Sequence, residues 1–392
     1  MAADAPGSAV LVLNAGSSSL KVALLDPATG ERSLSALGER LGGADARLQL
    51  DGTTRDLPRA GHEQVLTAVM QDLDTAGIAG VGHRVVHGGE RFSASVLVDD
   101  DVLAAVEQVS ALAPLHNPPG LATIAAARAL LPDVPHVAVF DTAFHATVPP
   151  SAHRYAVPQE WYERYGVRRY GFHGTSHRYV SARAAELLGR PPEDARVVVA
   201  HLGNGCSATA VRDGVSVDTT MGLTPLEGLV MGTRSGDVDP GLFAYLGRVA
   251  GLDADAVTAA LNGASGLLGL SGTSNDMRAV EQAATAGDER AALALDVFTA
   301  RLAKAVGALA VPLERLDALV FTGGIGEHST PVRSRTLARL GVLGLAEDPE
   351  ANARHGRDTG GRISPPGPTV ALVVPTDEEL MIARDTAALV GS

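Results

Sequence analysis

The chain has 392 residues, 45% hydrophobic and 20% charged, which is enough to bury two cores of ordinary domain size. Its formal charge of −13 argues against a nucleic-acid partner, because such a partner needs clustered cations that release its counterions. The single cysteine, Cys206, excludes an internal disulfide, and no apolar run approaches the roughly 20 residues that span a bilayer. Because no basic stretch precedes the first apolar run, we expect a cytoplasmic protein without a membrane partner.

Two segments predict the same local structure. Residues 9 to 25 (AVLVLNAGSSSLKVALL) place two apolar stretches around a small polar turn, which predicts a hairpin with Lys21 just inside its second strand. Residues 196 to 213 (RVVVAHLGNGCSATAVRD) repeat this plan. Neither turn has bulky side chains that would keep a phosphate from the backbone N–H groups. The repetition indicates an internal duplication.

Helices and further strands alternate after each hairpin. Amphipathic periodicity predicts helices at residues 63 to 76, 101 to 113, 119 to 130, 177 to 188 and 289 to 310. Apolar stretches predict strands at residues 135 to 140, 317 to 322 and 369 to 374. A last helix follows, and Thr376 with Glu379 fits a capping box at its start. This alternation favours α/β domains with mixed sheets, and the prolines between Ala146 and Tyr165 place a domain boundary there.

A set of motifs spread over nearly the whole chain makes the prediction more specific. The N-terminal half contains NAGSSSLK at 14 to 21, GHRVVHGGE at 82 to 90, LAPLHNPP at 112 to 119 and FDTAFH at 140 to 145. The C-terminal half contains RRYGFHGTSH at 168 to 177, HLGNG at 201 to 205, TPLEG at 224 to 228, MGTRSGD at 231 to 237, DMR at 276 to 278, GGIGEHS at 323 to 329 and TDEEL at 376 to 380. In content and in order, these motifs closely resemble the acetokinase family of short-chain acyl kinases, within the actin-like ATPase superfamily.

The resemblance implies an α/β fold of two related actin-like (ribonuclease H-like) domains with mixed sheets and an interdomain nucleotide cleft. The first domain would cover residues 1 to 148, completed by a helix over about 376 to 392, and the second residues 149 to 375. It also implies a homodimer that transfers the γ-phosphoryl group of ATP directly and reversibly to acetate, giving acetyl phosphate and ADP, with Mg²⁺ or Mn²⁺.

Two other activities fit parts of the same pattern. Propionate or butyrate could replace acetate, since one methylene is worth only about 1–3 kcal/mol, although Val86 in place of alanine favours acetate. An ATP-driven chaperone or filament protein shares the architecture. It would have no need for the two arginine motifs described next.

Arg84 in GHRVVHGG and Arg234 in MGTRSGD match the substrate-site arginines of the family. A short carboxylic acid is ionised at neutral pH and needs no general base, but it must approach a polyanionic phosphate chain. Guanidinium groups offset this repulsion, because they keep their charge and bind carboxylate or phosphoryl oxygens through two N–H groups. Both arginines are predicted in glycine-flanked or polar loops, where the alternative is a solvated or ion-paired side chain.

His173 in FHGTSH matches the family histidine that stabilises the transferring phosphoryl group, and Asp141 matches an active-site acid or base. A core histidine held by backbone carbonyls is the alternative for His173. His173 and His177 also have the spacing of a metal-binding pair, but no HExxH-like string or cysteine cluster supports zinc. Because the acceptor is already ionised, we expect Asp141 mainly to orient magnesium and its waters; capping the next turn is the alternative.

Asn14 and Glu378 match the family's magnesium positions, with Glu379 assigned to the helix cap and an exchange of the two glutamates left open. The resemblance assigns the nucleotide to three glycine turns and one DMR segment: Ser17, Ser19, Lys21, His201, Leu202, Gly203, Asn204, Gly205, Asp276, Met277, Arg278, Gly324, Ile325, Gly326, Glu327 and His328. It assigns the acyl group to an apolar pocket of Val86, Leu115, Phe172 and Pro225. His328 replaces the family's more frequent asparagine, and Cys206 its more frequent alanine, so both put fine nucleotide contacts in doubt.

Overall fold

Apolar segments form two mixed β-sheets in the computed structural model, which describes residues 9–71, 73–114 and 116–391. The first sheet has the order β5-β4-β3-β2-β1-β6-β8-β7. Its strands are β1 (Ala9–Ala15), β2 (Ser19–Leu25), β3 (Arg32–Glu39), β4 (Arg47–Leu50), β5 (Thr53–Asp56), β6 (Ile78–Val85), β7 (Val96–Leu97) and β8 (His136–Phe140). The second sheet has the order β11-β10-β9-β12-β13. Its strands are β9 (Arg196–Leu202), β10 (Cys206–Arg212), β11 (Val215–Thr219), β12 (Ala318–Thr322) and β13 (Val370–Val373).

Both sheets contain the same five-strand arrangement. In the first sheet, β1, β2 and β3 pair antiparallel, and β6 and β8 continue parallel on the other side of β1. In the second, β9, β10 and β11 pair antiparallel, and β12 and β13 continue parallel on the other side of β9. The repeat confirms the predicted duplication and the mixed α/β class, and both predicted hairpins are present as β1–β2 and β9–β10.

Helices surround the sheets in two compact units, one of residues 1–146 with 377–392 and the other of residues 147–376. The first unit contains α1 (His62–Gln71), α2 (Asp100–Gln108), α3 (Asn117–Leu130) and α15 (Glu378–Val390). The second contains α4 (Pro150–His153), α5 (Gln159–Tyr165), α6 (Gly174–Leu187), α7 (Gly241–Ala250), α8 (Ala254–Gly263), α9 (Gly266–Ser271), α10 (Met277–Thr285), α11 (Glu289–Ala310), α12 (Gly323–His328), α13 (Thr330–Leu337) and α14 (Pro349–Ala353). Among the described residues, no helix combines the length and apolar character that crossing a membrane requires.

The start of α15 differs from the prediction. Asp377, not Thr376, is the N-cap, and its carboxylate accepts a hydrogen bond from the Leu380 N–H at 3.0 Å. The Thr376 hydroxyl instead lies 2.8 Å from Ser176 Oγ, and no capping box with Glu379 forms. Either residue type can cap a helix, so the sequence pattern alone did not decide between them.

Arg84 also differs from its predicted position in a loop, because it lies within β6. The neighbouring His83 is fully buried, and its Nε2 lies 2.9 Å from His136 Nδ1 on β8. Burial lowers the pKa of both rings, so the pair is neutral at neutral pH. The His136 Nε2–H can donate to the Leu131 carbonyl at 3.2 Å, which leaves Nδ1 to accept from His83. A neutral histidine pair thus links β6 to β8 at the residue that precedes Arg84.

Candidate active site

Arg84 and Asp141 form a charged pair at the carboxyl edge of the first sheet. β6 and β8 are parallel neighbours, and Val85 lies opposite Phe140, so the two polar residues reach the same edge. Arg84 Nε donates to both carboxylate oxygens of Asp141, at 3.1 and 3.0 Å, and Nη2 also donates to Oδ2. The Asp141 side chain is completely buried, whereas that of Arg84 keeps 16% of its surface exposed. Asp141 is therefore the ion-pair partner of Arg84.

Asn14 and Glu378 extend this pair into a cluster within the first unit. Arg84 Nη1 donates to Asn14 Oδ1 at 3.1 Å. Burial raises the pKa of Glu378, and the nearby Asp141 and Glu379 carboxylates raise it further against the opposing effect of Arg84. Burial alone would lower the pKa of Arg84, but Asp141 and Glu378 outweigh it and raise that pKa. Two carboxyl groups, those of Asp141 and Glu378, therefore act on one guanidinium.

The Glu379 carboxylate lies close to two cationic side chains other than that of Arg84. Its carboxylate is 3.9 Å from Lys21 Nζ and 3.8 Å from Arg32 Nη2. Lys21 follows the first glycine turn, where Ser17 is exposed and the Gly16 N–H donates to the Ser19 carbonyl at 2.8 Å. Glu379 does not serve the cap, which Asp377 provides. The two glutamates thus differ in their surroundings: Arg84 and Asp141 have the larger electrostatic effects on the pKa of Glu378, whereas Glu379 lies within 4 Å of Lys21 and Arg32.

Arg234, His173 and Gly205 meet around one small space in the second unit. A Cβ atom on Gly205 would lie 3.5 Å from Arg234 Nη1 and 3.6 Å from His173 Nε2. Arg234 Nη1 donates to the Pro225 carbonyl at 3.1 Å and approaches the Met231 sulfur at 3.7 Å. Within the described part of the chain, no carboxylate forms a salt bridge with Arg234, and burial lowers its pKa. A partly buried guanidinium without a protein anion is a strong site for an anionic ligand.

Sequence reasoning missed two serines that contact three histidines of this unit. Ser207 Oγ lies 2.9 Å from His173 Nδ1 and 2.7 Å from His177 Nε2. Ser176 Oγ lies 2.8 Å from His201 Nδ1. No periodicity or spacing in the sequence indicates that β10 and α6 present these groups to one another. His177 therefore bonds a serine hydroxyl, and the residues described contain no cluster of three or more His, Cys, Asp and Glu side chains suited to a metal.

A cavity of about 540 Å³ lies beside the second glycine turn, a volume typical of small-molecule sites. The predicted nucleotide residues on its walls are Gly203, Asn204, Asp276, Met277, Arg278, Gly324, Ile325 and His328, joined by Asn275, Glu281 and Ser329, which the sequence did not indicate. Asn204 anchors this wall, because its carbonyl accepts from the Gly232 N–H at 2.9 Å and its Oδ1 from Asn275 Nδ2 at 3.1 Å.

Other predicted nucleotide residues lie off the cavity wall. Glu327 Oε1 accepts from the Gly323 N–H at 3.0 Å and the Thr376 N–H at 3.3 Å. Gly323 has φ +75°, and a Cβ there would come within 2.8 Å of the Leu202 carbonyl, so only glycine fits. His201, Leu202, Gly205 and Gly326 are likewise absent from the cavity lining. They shape the loops on which the lining residues lie.

The predicted apolar residues are distributed over both units. Val86 and Phe172 are buried, with 4% and 1% of their surfaces exposed. Pro225 is fixed by the hydrogen bond from Arg234 to its carbonyl. Leu115 lies outside the described residues.

Cys206 is fully buried, and its thiol donates a hydrogen bond to the Gly203 carbonyl at 3.2 Å. Burial raises the pKa of this thiol to about 12, so it is not a nucleophile.

The sequence profile of the Acetokinase family matches residues 9–384. The chain is 59% identical over 389 residues to an acetate kinase of Deinococcus radiodurans, covering 97% of this chain and 98% of that protein. It is 53% identical over 395 residues to an acetate kinase of Streptomyces coelicolor, covering 97% of each.

Two solved structures have the same fold. A propionate kinase from Francisella tularensis superposes with a TM-score of 0.91 at 43% identity, covering 97% of this chain and all of that one. An acetate kinase from Porphyromonas gingivalis superposes with a TM-score of 0.89 at 43% identity, covering 98% of this chain and all of that one. The motifs that carried the resemblance therefore lie on a fold shared over nearly the full length.

Proposed function

The chain belongs to the acetokinase family, and on that premise we propose that it transfers the γ-phosphoryl group of ATP reversibly to acetate, giving acetyl phosphate and ADP. The observation that carries this proposal is the arrangement at Gly205, where Arg234 and His173 border one space and Arg234 has no carboxylate partner among the described residues. The transferring phosphoryl group carries negative charge over its equatorial oxygens, and a guanidinium with an imidazole N–H suits that charge.

The acceptor needs charge neutralisation and no base. Acetate is ionised at neutral pH and attacks the phosphorus atom in line with the departing ADP oxygen. Arg84 has five N–H groups, of which Asp141 and Asn14 engage one each on Nε, Nη1 and Nη2, so one remains on each terminal nitrogen. These two N–H groups can hold an oxygen of the acetate or of the phosphoryl group. Arg84 and Arg234 are thus proposed as the catalytic cations, with Val86, Leu115, Phe172 and Pro225 against the methyl group.

The nucleotide is assigned to the second unit. The 540 Å³ cavity offers the apolar wall of Ile325 and Met277 for a base and polar groups at Asn204 and Asp276 for a sugar. Asp276 is half-exposed and pairs with Arg278, whose Nη2 donates to it at 2.7 Å. The remaining predicted nucleotide residues, including Ser17, Ser19, Lys21, His201 and Gly205, are proposed to line or shape the phosphate turns.

Magnesium, or manganese in its place, is proposed at Asn14 and Glu378, with Asp141 orienting its waters. The donor set fits: all three groups offer oxygen, and the raised pKa of Glu378 shows a carboxylate that another positive charge would stabilise. Few protein ligands are typical of Mg²⁺, which keeps several waters and binds substrate phosphates. When bound, the ion would neutralise charge on the nucleotide phosphates, while the hydrogen bonds from Arg84 hold the Asp141 carboxylate in place.

Hydroxylamine trapping of the acyl phosphate tests this activity directly. With ATP and Mg²⁺, we expect hydroxamate to form with kcat/KM for acetate roughly 10-fold or more above that for propionate, as one methylene in a tight pocket allows. Chelation of the metal should abolish the product. Equal or faster turnover of propionate or butyrate would identify that acid, and not acetate, as the preferred substrate. ATP hydrolysis at the same rate with and without carboxylate would instead support a chaperone-like ATPase.

A homodimer in the cytoplasm is proposed as the working form. None of the ten residues of α7 is buried, although the helix is largely apolar, and Tyr245 and Val249 expose 57% and 61% of their surfaces. An exposed apolar helix of this kind supports a contact with a second copy of the chain. We expect sedimentation velocity to give twice the mass of one chain, and Tyr245→Glu to shift the protein toward monomer. A wild-type protein that stays monomeric at micromolar concentration would contradict the proposal.

A further inference from the structure

Ser207 occupies a position between two histidines that its sequence context does not indicate. It is the second residue of β10 and is completely buried. Its Oγ lies 2.9 Å from Nδ1 of His173 and 2.7 Å from Nε2 of His177, and both distances are within hydrogen-bond range. The two rings are therefore joined through a single oxygen atom.

A hydroxyl has one hydrogen, so Ser207 can donate to only one of the two rings and must accept from the other. If it donates to His173 Nδ1, a neutral His173 carries its proton on Nε2, and His177 donates its Nε2–H to Ser207. If it donates to His177, a neutral His173 carries its proton on Nδ1 and presents a lone pair at Nε2. The direction in which the Ser207 O–H points therefore decides which ring nitrogen of a neutral His173 carries the proton.

The surroundings of Nε2 select the first arrangement. His173 Nε2 and Arg234 Nη1 border the same space beside Gly205, which is the position proposed for the phosphoryl group. A lone pair there would face anionic oxygens, whereas an N–H would donate to them. His201, whose ring centroid lies 4.4 Å from that of His173, has its Nδ1 atom 2.8 Å from Ser176 Oγ.

The backbone conformation of His173 also constrains the position of its imidazole ring. His173 precedes α6 with φ +57° and ψ +26°, a left-handed conformation that is uncommon for a residue with a side chain. Such strain persists where the surrounding structure determines the conformation, and it often accompanies a pre-organised functional group. The main chain thus sets where the imidazole lies, and Ser207 contacts the nitrogen that faces away from Gly205.

We propose that Ser207 is a positioning residue that holds His173 as the Nε2–H tautomer by donating to Nδ1 while accepting from His177. The inference rests on the proposed function, because the phosphoryl group proposed beside Gly205 is what selects this tautomer. The tautomer can still be measured separately from the reaction.

Long-range ¹H–¹⁵N correlation spectra of protein labelled at histidine nitrogen test the tautomer, with His173 assigned by loss of its signals in His173→Gln. We expect wild-type His173 to show a protonated Nε2 and an unprotonated Nδ1. Ser207→Ala should shift both signals toward a mixture of tautomers, and Ser207→Thr, which keeps the hydroxyl, should retain the wild-type pattern. A wild-type Nδ1–H tautomer, or an unchanged spectrum in Ser207→Ala, would overturn the inference.

Kinetics of the same variants test the consequence. Ser207→Ala should lower kcat by roughly 10- to 100-fold, as loss of an orienting partner commonly does, with KM for ATP and acetate changed much less. Thr209→Val is the matched control, because it removes another fully buried hydroxyl of β10, bonded to Thr219 at 2.8 Å, two residues along the strand. An equal loss of kcat in both variants would assign Ser207 to structure alone. If wild type makes no acyl phosphate while its spectrum shows Nε2–H, the proposed function fails and the tautomer assignment stands.

Discussion

Arg234→Ala is expected to reduce kcat/KM for acetyl phosphate formation on the order of 10³-fold while the fold survives. Removal of one well-placed donor to transition-state charge costs about 10²–10³-fold, and here a full positive charge is lost as well. The protein itself loses little, because the hydrogen bonds of the guanidinium in the described structure go only to the Pro225 carbonyl and the Met231 sulfur. No buried carboxylate is left without its cation. We therefore expect the free energy of unfolding to change by less than about 1 kcal/mol.

Two comparisons make this result specific. Arg183→Ala removes a half-exposed arginine of the same unit, paired with Glu186 on the surface of α6, and should leave both activity and stability near wild type. Arg234→Lys keeps the charge but loses the planar pair of N–H groups, so it should recover only part of the rate. Near-normal turnover by Arg234→Ala would remove this residue from the catalytic cations. A matching collapse of the circular dichroism signal would show that its role is structural.

The parts of the fold that sequence analysis predicted are those set by local pattern. The two hairpins are read from apolar stretches around small turns, and α11 from its helical periodicity over 22 residues. Asp141 was placed correctly at the end of a strand for the same reason. In each case the chemistry of neighbouring residues along the chain is sufficient, because turns and amphipathic faces are short-range features.

The parts that it missed depend on contacts between distant segments. Arg84 was expected in a loop because glycine and histidine surround it, but pairing with β8 and burial of His83 against His136 make that segment a strand. The Ser207 hydroxyl contacts His173 only because the fold places β10 beside the start of α6. Propensity is a weak guide in such places, since the tertiary environment decides the conformation.

Arg84→Ala is expected to cause the second large effect, and unlike Arg234→Ala it should damage stability as well as activity. Asp141 is completely buried and receives donors from Nε and Nη2 of Arg84, so the substitution leaves a buried carboxylate without its cation. Removing one partner of a buried ion pair typically costs about 3–5 kcal/mol of unfolding free energy. Acetyl phosphate formation should fall by a similar order to that in Arg234→Ala, about 10³-fold.

The stability loss in Arg84→Ala should depend on pH in a defined direction. Glu378 already has a raised pKa in the folded protein, and loss of Arg84 raises it further, because Arg84 is the cation that opposes the rise. A carboxyl group with a raised folded pKa favours folding when protonated, and that contribution is lost as pH increases. The deficit relative to wild type should therefore be smaller near about pH 5 than near about pH 8, as denaturant titrations would show.

A second substitution separates the loss of stability in Arg84→Ala from its loss of activity. Asp141→Asn removes the charge that Arg84 neutralises and keeps the shape of the side chain, so Arg84→Ala combined with Asp141→Asn should recover much of the unfolding free energy. It should not recover activity, since the guanidinium proposed to hold the substrate is still missing. If the double variant remained as unstable as Arg84→Ala, the Arg84–Asp141 pair would not be the source of the stability loss. If it regained turnover, Arg84 would serve only to neutralise Asp141.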